Sequence, residues 1–235
     1  MADKHLSTQF DAELSGISTR VLEMGGIVEA QVVQAVHALT QCSSEIAAQV
    51  LRQEERVNAM EIEIDRDLST IIALRQPTAR DLRLLIAISK AIANLERVGD
   101  EAARIARIVQ RLISTGASGP LRLPVNDLVF ESELAITQLR KALDAFARLD
   151  VGKAIEILRQ DSQIDQEFAG LVRKLITYAM EDPRTISSSI DLIFVAKAIE
   201  RVGDHAKNLA EVIIYVVKGT DVRHNPVETV ESMVR

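Results

Sequence analysis

The chain has 235 residues, of which 47% are hydrophobic but only 3% aromatic, with no tryptophan and few glycines (10) or prolines (5); such a composition reads as helix packed on helix. A formal net charge of −6 argues against nucleic acid as the main partner, because a phosphate backbone demands basic excess, and leaves room for cations or basic protein surfaces. Cys42 is the single cysteine, the opening residues lack the apolar core of a signal peptide, and no run of about 18 apolar residues occurs, so the expectation is a cytoplasmic chain that does not span a membrane.

Leu14, Ile17, Val21, Met24, Val28 and Ala35 hold heptad spacing and predict a first helix, with Cys42 a small filler near its end. A second helix carries Val50–Glu54 and Val57. The third is the clearest. Leu84, Ile88, Ala91, Leu95, Val98, Ala102, Ile105, Val109 and Leu112 alternate spacings of four and three, a seam that lets one helix lie along another. Two glycines and two prolines between Ser114 and Asn126 mark the only credible boundary between halves. Beyond it, Leu128, Leu139, Leu143 and Phe146 predict a fourth helix, and Ile164, Phe168, Leu171, Leu175 and Tyr178 a fifth. Leu192, Val195, Ile199, Val202, Ala206, Leu209, Ile213 and Val216 predict a sixth. Gly219 reads as a helix stop, followed by a frayed tail. The expected fold is all-α: two antiparallel three-helix bundles related by internal duplication, spanning 1–117 and 118–220, with a tail over 221–235.

The duplication is explicit in a five-residue string, Glu-Arg-Val-Gly-Asp, at Glu96–Asp100 and again at Glu200–Asp204. A second correspondence pairs Val50–Glu54 with Ile157–Asp161, and continues through Val57 with Ile164 and Asn58 with Asp165. The change of offset needs a shorter loop before the last helix. Glu96 and Asp100 share a helix face, as do Glu200 and Asp204; by the seam, that face belongs to the solvated flank. Glycine inside a helix costs about 1 kcal/mol against alanine, so Gly99 and Gly203 imply close approach by a neighbour.

Asp161 lies in line with the apolar stripe of the fifth helix, with Asp165 beside it. If adjacent helices join these pairs, carboxylates converge. At about 4 Å two like charges repel by about 1 kcal/mol in water and about 4 kcal/mol at an intermediate dielectric. A cation, an arginine or bound protons must then offset the repulsion. All-oxygen sites suit Mg²⁺, Ca²⁺, Mn²⁺ or iron. The competing reading is a solvated face on which Arg97 and Arg201 neutralise the acids, giving a metal-free helical adaptor. A ferritin-like metalloenzyme would need Glu-x-x-His; the third residues after Glu96 and Glu200 are Gly99 and Gly203, and His205 reads as a surface residue or outer ligand. No enzymatic activity is expected. Lysines and arginines are dispersed and no glycine-rich phosphate loop is present, so direct phosphate or nucleotide binding has no support in the sequence.

Several motifs run co-linearly through the chain: Gln9–Leu14, Met24-Gly25-Gly26, Arg75–Leu84, Leu95–Asp100, Asp144–Arg148 and Ile199–Asp204 with Asn208. Together they resemble the PhoU family over nearly the whole chain. The resemblance implies two three-helix bundles with E(D)xxxD motifs that hold metal clusters, here Glu96, Asp100, Asp161, Asp165, Glu200 and Asp204. In the first half the second acid pair is either Glu54/Asn58, by internal alignment, or Glu61/Asp65, by spacing. Asn208 is a further candidate ligand, but its counterpart is Arg104, so the two clusters differ or one is weak. The implied cofactor is a divalent or iron-type ion (Mg, Mn, Fe or Zn). The resemblance also implies a cytoplasmic negative regulator of the phosphate-starvation response and of phosphate uptake. Its partners would be the ATPase subunit of the phosphate ABC transporter and a sensor histidine kinase. Asp81, Arg148 and Asp161 fall in segments implied as contact or switch positions, although Arg148 also reads as a helix-end arginine over the last carbonyls. Exposed apolar positions on the long helices predict a homodimer.

Overall fold

The computed structural model describes residues 2–115 and 124–234, with side chains from residue 8 onward. The expected boundary at 117/118 lies outside the described residues. Among these, six long helices carry the chain: α1 (Ala2–Gln41), α2 (Ser44–Arg75), α3 (Ala79–Ser114), α4 (Val125–Arg148), α5 (Val151–Glu181) and α6 (Ile186–Lys218). A seventh, α7 (Val227–Val234), follows, and the described residues contain no strand. Helices α1, α2 and α3 pack on one another, as do α4, α5 and α6; the halves join through α3 on α6 and α1 on α4.

The heptad seams explain this arrangement. From Ile88 to Leu112 every seam residue of α3 is buried, and so is every one of α6 from Leu192 to Val216. Each central helix buries a second stripe as well, rich in small residues: Ala87, Ala103 and Ala106 in α3, Ala196, Ala198 and Ala210 in α6. Small side chains let two helices approach closely, so α3 and α6 serve their own bundles and also weld the halves together.

The duplication is also written in the turns. Cys42 (φ 47°) ends α1 and Leu149 (φ 51°) ends α4, both left-handed. The next residue in each case bonds back to the helix, Ser43 N to Ala38 O at 3.0 Å and Asp150 N to Ala145 O at 2.9 Å. Those bonds satisfy carbonyls orphaned at the helix end. Ser43 and Asp150 then cap the following helix, accepting from Ile46 N and Lys153 N. Cys42 is therefore an exposed turn residue and not the filler its position indicated. Only Asp182 separates α5 from the 3₁₀ turn Pro183–Thr185 ahead of α6, where Gln76, Pro77 and Thr78 separate α2 from α3.

Gly219 ends α6 at φ 74°, as its position predicts, but the tail is not frayed. Val222 and Val230 are 1% exposed, α7 packs on α5, Arg159 pairs with Glu231 at 2.6 Å, and Lys218 donates to the Val234 carbonyl. Val227, Val230 and Val234 form a helical stripe too short to stand out from sequence periodicity.

The repeated glycines sit where neighbours come closest. A Cβ on Gly203 would meet Ile164 Cδ1 at 2.7 Å, and one on Gly99 would meet Glu54 Oε2 at 2.9 Å and Val57 Cγ1 at 3.3 Å. Gly26, exposed in mid-α1, has nothing within 4 Å. In urea denaturation Gly203→Val is expected to lose about 1–3 kcal/mol by overpacking. Gly26→Ala is expected to gain about 0.5–1 kcal/mol by helix propensity alone. Equal effects at the two sites would contradict the packing described.

Candidate metal centre

Helices α5 and α6 meet at Ile164 and Gly203, and that contact sets the register of four acids. Asp161 and Asp165 stand one turn apart on α5, and Glu200 and Asp204 one turn apart on α6. One oxygen each of Asp165, Glu200 and Asp204 all lie within 4.8 Å of one another. The face carrying Glu200 is not the solvated flank its seam position indicated. It turns toward α5, and Glu200 is 9% and Asp161 8% exposed. Burial, then the charges of Glu200, Asp161 and Asp165, push the Asp204 carboxyl up to about 6. Two lysines partly offset these acids: Lys197 donates to Glu200 at 2.6 Å and Lys207 to Asp161 at 2.5 Å. Both lysine side chains are part exposed and can swing to water.

The first half repeats the frame with different chemistry. Val57 takes the place of Ile164 against Gly99, so Glu54 and Asn58 are the spatial counterparts of Asp161 and Asp165. Glu54 is buried and accepts from Gln31 Nε2 at 2.9 Å. Burial raises its carboxyl and the Gln31 bond lowers it; Asp100 and Glu96 add upward pressure. Glu61 also faces this pair: burial lifts its carboxyl, eased by Arg97, while Asp65 and Asp100 push further up. Asp65 itself meets Ser89 Oγ at 3.4 Å. Glu54 thus lies near Glu96 and Asp100, and Glu61 near the same pair, while Asn58 is neutral. Among the described residues, only the second half brings three acids to metal-ligand spacing.

The fate of two equivalent arginines separates the halves. Arg97 folds onto its own acids, 3.4 Å from Glu96 and 3.2 Å from Asp100. Arg201 leaves its acids and crosses to Glu101 of α3, 2.9 Å away. Glu101, 2% exposed, also pairs with Arg104 at 3.3 Å. Asn208 does not join the cluster: it donates to Asn94 Oδ1 at 3.0 Å, the oxygen that His205 Nδ1 also contacts at 3.0 Å. His205 is part-buried, not a surface residue, and burial followed by Arg201 and Arg97 holds its imidazole down to about 4. Asp81 and Arg148 are exposed at helix ends. Asp81 lies in the first turn of α3 and Arg148 in the last turn of α4, paired with Asp144 at 2.8 Å.

Sequence reasoning missed Glu131 of α4. It is 1% exposed, and neither carboxylate oxygen has a hydrogen-bond partner. Burial, with the charges of Glu200 and Glu167 behind it, pushes its carboxyl up to about 8. The available signal was an acid among the apolar positions between Leu128 and Ala135. Gln31 was missed for the same reason. The second-half donor set is all oxygen and partly dry, with a further unpartnered carboxyl beside Glu200. That chemistry fits a hard cation, which would offset the mutual repulsion and tie α5 to α6.

The family model described as "PhoU domain" matches the chain twice, over residues 21–109 and 131–213. A phosphate-specific transport system accessory protein PhoU homolog from a Burkholderia species is 51% identical over 224 residues, covering 95% of each chain. The crystal structure of PhoU from Pseudomonas aeruginosa superposes with a TM-score of 0.86 at 42% identity, covering 90% of this chain and 100% of that one. The phosphate transport system regulatory protein PhoU from Streptococcus pneumoniae superposes with a TM-score of 0.83 at 29% identity, covering 91% and 99%.

Because folding raises the Asp204 and Glu131 carboxyls above their ordinary values, the stability they contribute is complete below about pH 4 and is lost as pH rises through about 6 and about 8. In chelator, Glu131→Gln is expected to gain about 4 kcal/mol on the parent between pH 5 and pH 9 by urea denaturation. A constant difference across that range would show that Glu131 stays ionised when buried.

Proposed function

Because the chain belongs to the PhoU family, we propose that it is an accessory regulator of phosphate-specific transport whose second-half carboxylates hold a divalent cation. Asp165, Glu200 and Asp204, within 4.8 Å of one another, carry the metal reading. Asp161 stands beside them on α5 and is released when Lys207 swings away. The ion supplies positive charge where three helices converge and so stiffens the α4–α5–α6 bundle as a docking body. An oxygen-only set favours Mg²⁺ or Mn²⁺ over Zn²⁺, which takes nitrogen and sulfur more readily.

In this reading the chain works by contact and not by turnover. It restrains the phosphate ABC transporter through the ATPase subunit and holds a sensor histidine kinase in its inhibitory state when phosphate is abundant, acting from the cytoplasmic side. No helix of the described residues is long and apolar enough to cross a membrane, so contact with the membrane would run through those partners. Exposed apolar side chains on the second half, Phe130, Ile190 and Phe194, supply surface for a protein partner or a second copy of the chain. The exposed helix-end positions of Asp81 and Arg148 suit contact roles and not metal ligation.

After chelation, Mn²⁺ at about 100 times its dissociation constant is expected to add about 2.7 kcal/mol of stability, a rise of about 5–10 °C in melting temperature. Asp165→Asn with Asp204→Asn should abolish that rise, and Glu96→Gln with Asp100→Asn should leave most of it. A shift retained in the second-half variant would remove the metal site. In cells, deleting the gene should leave phosphate-starvation genes on in rich medium, and a plasmid copy should silence them. Unchanged expression on deletion would overturn the regulatory role.

A further inference from the structure

A cleft of about 660 Å³ opens where α3, α6 and the segment leading into α7 meet. Four cationic side chains line it, Lys90, Arg201, Lys207 and Arg223, together with two acids, Asp204 and Glu211. The basic residues that looked dispersed along the sequence are thus gathered in space. We propose that this cleft binds a small, partly protonated tetrahedral oxyanion of the phosphate class. The inference does not depend on the metal site or on the regulatory role.

Arg201, Lys207 and Arg223 are each held by an acid, Glu101, Asp161 and Asp221, and Lys90 is held without one. Lys90 places its ammonium over the Tyr215 ring, 4.9 Å from the centroid, and makes no ion pair among the described residues. The cation–π contact orients that charge while leaving its N–H donors free. Arg223 is braced on Asp221 through Nε at 3.0 Å and one terminal nitrogen at 2.6 Å, so donors on the other terminal nitrogen remain available. Lys207 is part exposed and shares its ammonium with Asp161.

The wall also carries acceptors. Asn94 Nδ2 donates to the Lys90 carbonyl at 2.8 Å, and Asn208 Nδ2 donates to Asn94 Oδ1. That network fixes Asn94 Oδ1 as an acceptor facing His205 Nδ1 at 3.0 Å. Nδ1 therefore bears a proton and donates it to that oxygen. Glu211 adds a carboxylate to the lysines and arginines of the lining. Sulfate has no proton to give and meets Glu211 as a like charge. Hydrogenphosphate carries an O–H that can donate to the Glu211 carboxylate while its other oxygens meet the cations. The mixed lining therefore selects for a protonated oxyanion and not for negative charge alone. A volume of this size lies within the usual range for small-molecule sites, and the α7 segment, with Val222 and Val230 packed inward, holds the Arg223 wall in position.

The test is calorimetric titration of the full chain in chelator at neutral pH, with inorganic phosphate, sulfate and glycerol phosphate as separate titrants. Phosphate is expected to bind at one site, with sulfate at least about tenfold weaker. Lys90→Gln and Arg223→Gln should each weaken phosphate by about tenfold, while Lys141→Gln, outside the cleft, should not. Glu211→Gln should narrow the gap between phosphate and sulfate. Tighter binding of glycerol phosphate than of the free ion, lost in the same variants, would support the site and assign it to a phosphoryl group carried on a larger molecule. Absence of phosphate binding up to about 10 mM in parent protein with a native helical circular dichroism spectrum would overturn the proposal. So would unweakened binding in the Lys90 and Arg223 variants, or equal affinity for sulfate.

Discussion

The convergence of like charges across the α5–α6 contact is the constraint on which the rest of the second half depends. Close approach at Gly203 and Ile164 puts Asp165, Glu200 and Asp204 within a few ångströms of one another and removes water from Glu200. Two full negative charges about 4 Å apart repel by about 4 kcal/mol at the dielectric of a protein surface. Something positive must therefore be close by. In the protein alone, Lys197 and Lys207 supply it from the edges, while burial first and neighbouring acids second raise the Asp204 and Glu131 carboxyls. A hard cation is the chemically direct remedy, and it would turn a destabilising cluster into a clamp between helices.

Duplication gave the two halves the same helices, seams and capping turns, yet their acids meet different ends. In the first half Asn58 replaces a charge and Arg97 lies over Glu96 and Asp100. In the second, Asp165 restores the charge, and Arg201 is drawn away across the α3–α6 weld by Glu101. One buried glutamate at the join thus takes the arginine from one set of carboxylates, while the other set keeps its own. A scaffold built by repetition acquires two unlike acidic clusters through a contact made between its halves.

What could be read from the sequence followed from local pattern. The seams from Ile88 to Leu112 and from Leu192 to Val216 gave the long helices because a 3.6-residue period is a local property. Gly99 and Gly203 gave the close approach because glycine in a helix is locally unfavourable and needs a distant reason. The burial of Glu200 was hidden because one seam names only one partner, whereas α6 packs against several helices. The reach of Arg201 to Glu101 joins residues far apart in sequence. Glu131 sat unnoticed among apolar positions of α4. The α7 stripe was too short to register, and the cleft cations come from α3, α6 and the tail together. In each of these cases the determining contact is tertiary, and no spacing rule contains it.

The measurement that bears most directly on the clamp is anomalous X-ray diffraction from crystals of this chain soaked in Mn²⁺. The account predicts a manganese peak between α5 and α6, ligated by Asp165, Glu200 and Asp204, with Lys197 turned out to solvent. Crystals with manganese elsewhere, or with Lys197 and Lys207 still closed on Glu200 and Asp161 and no peak between the helices, would contradict it.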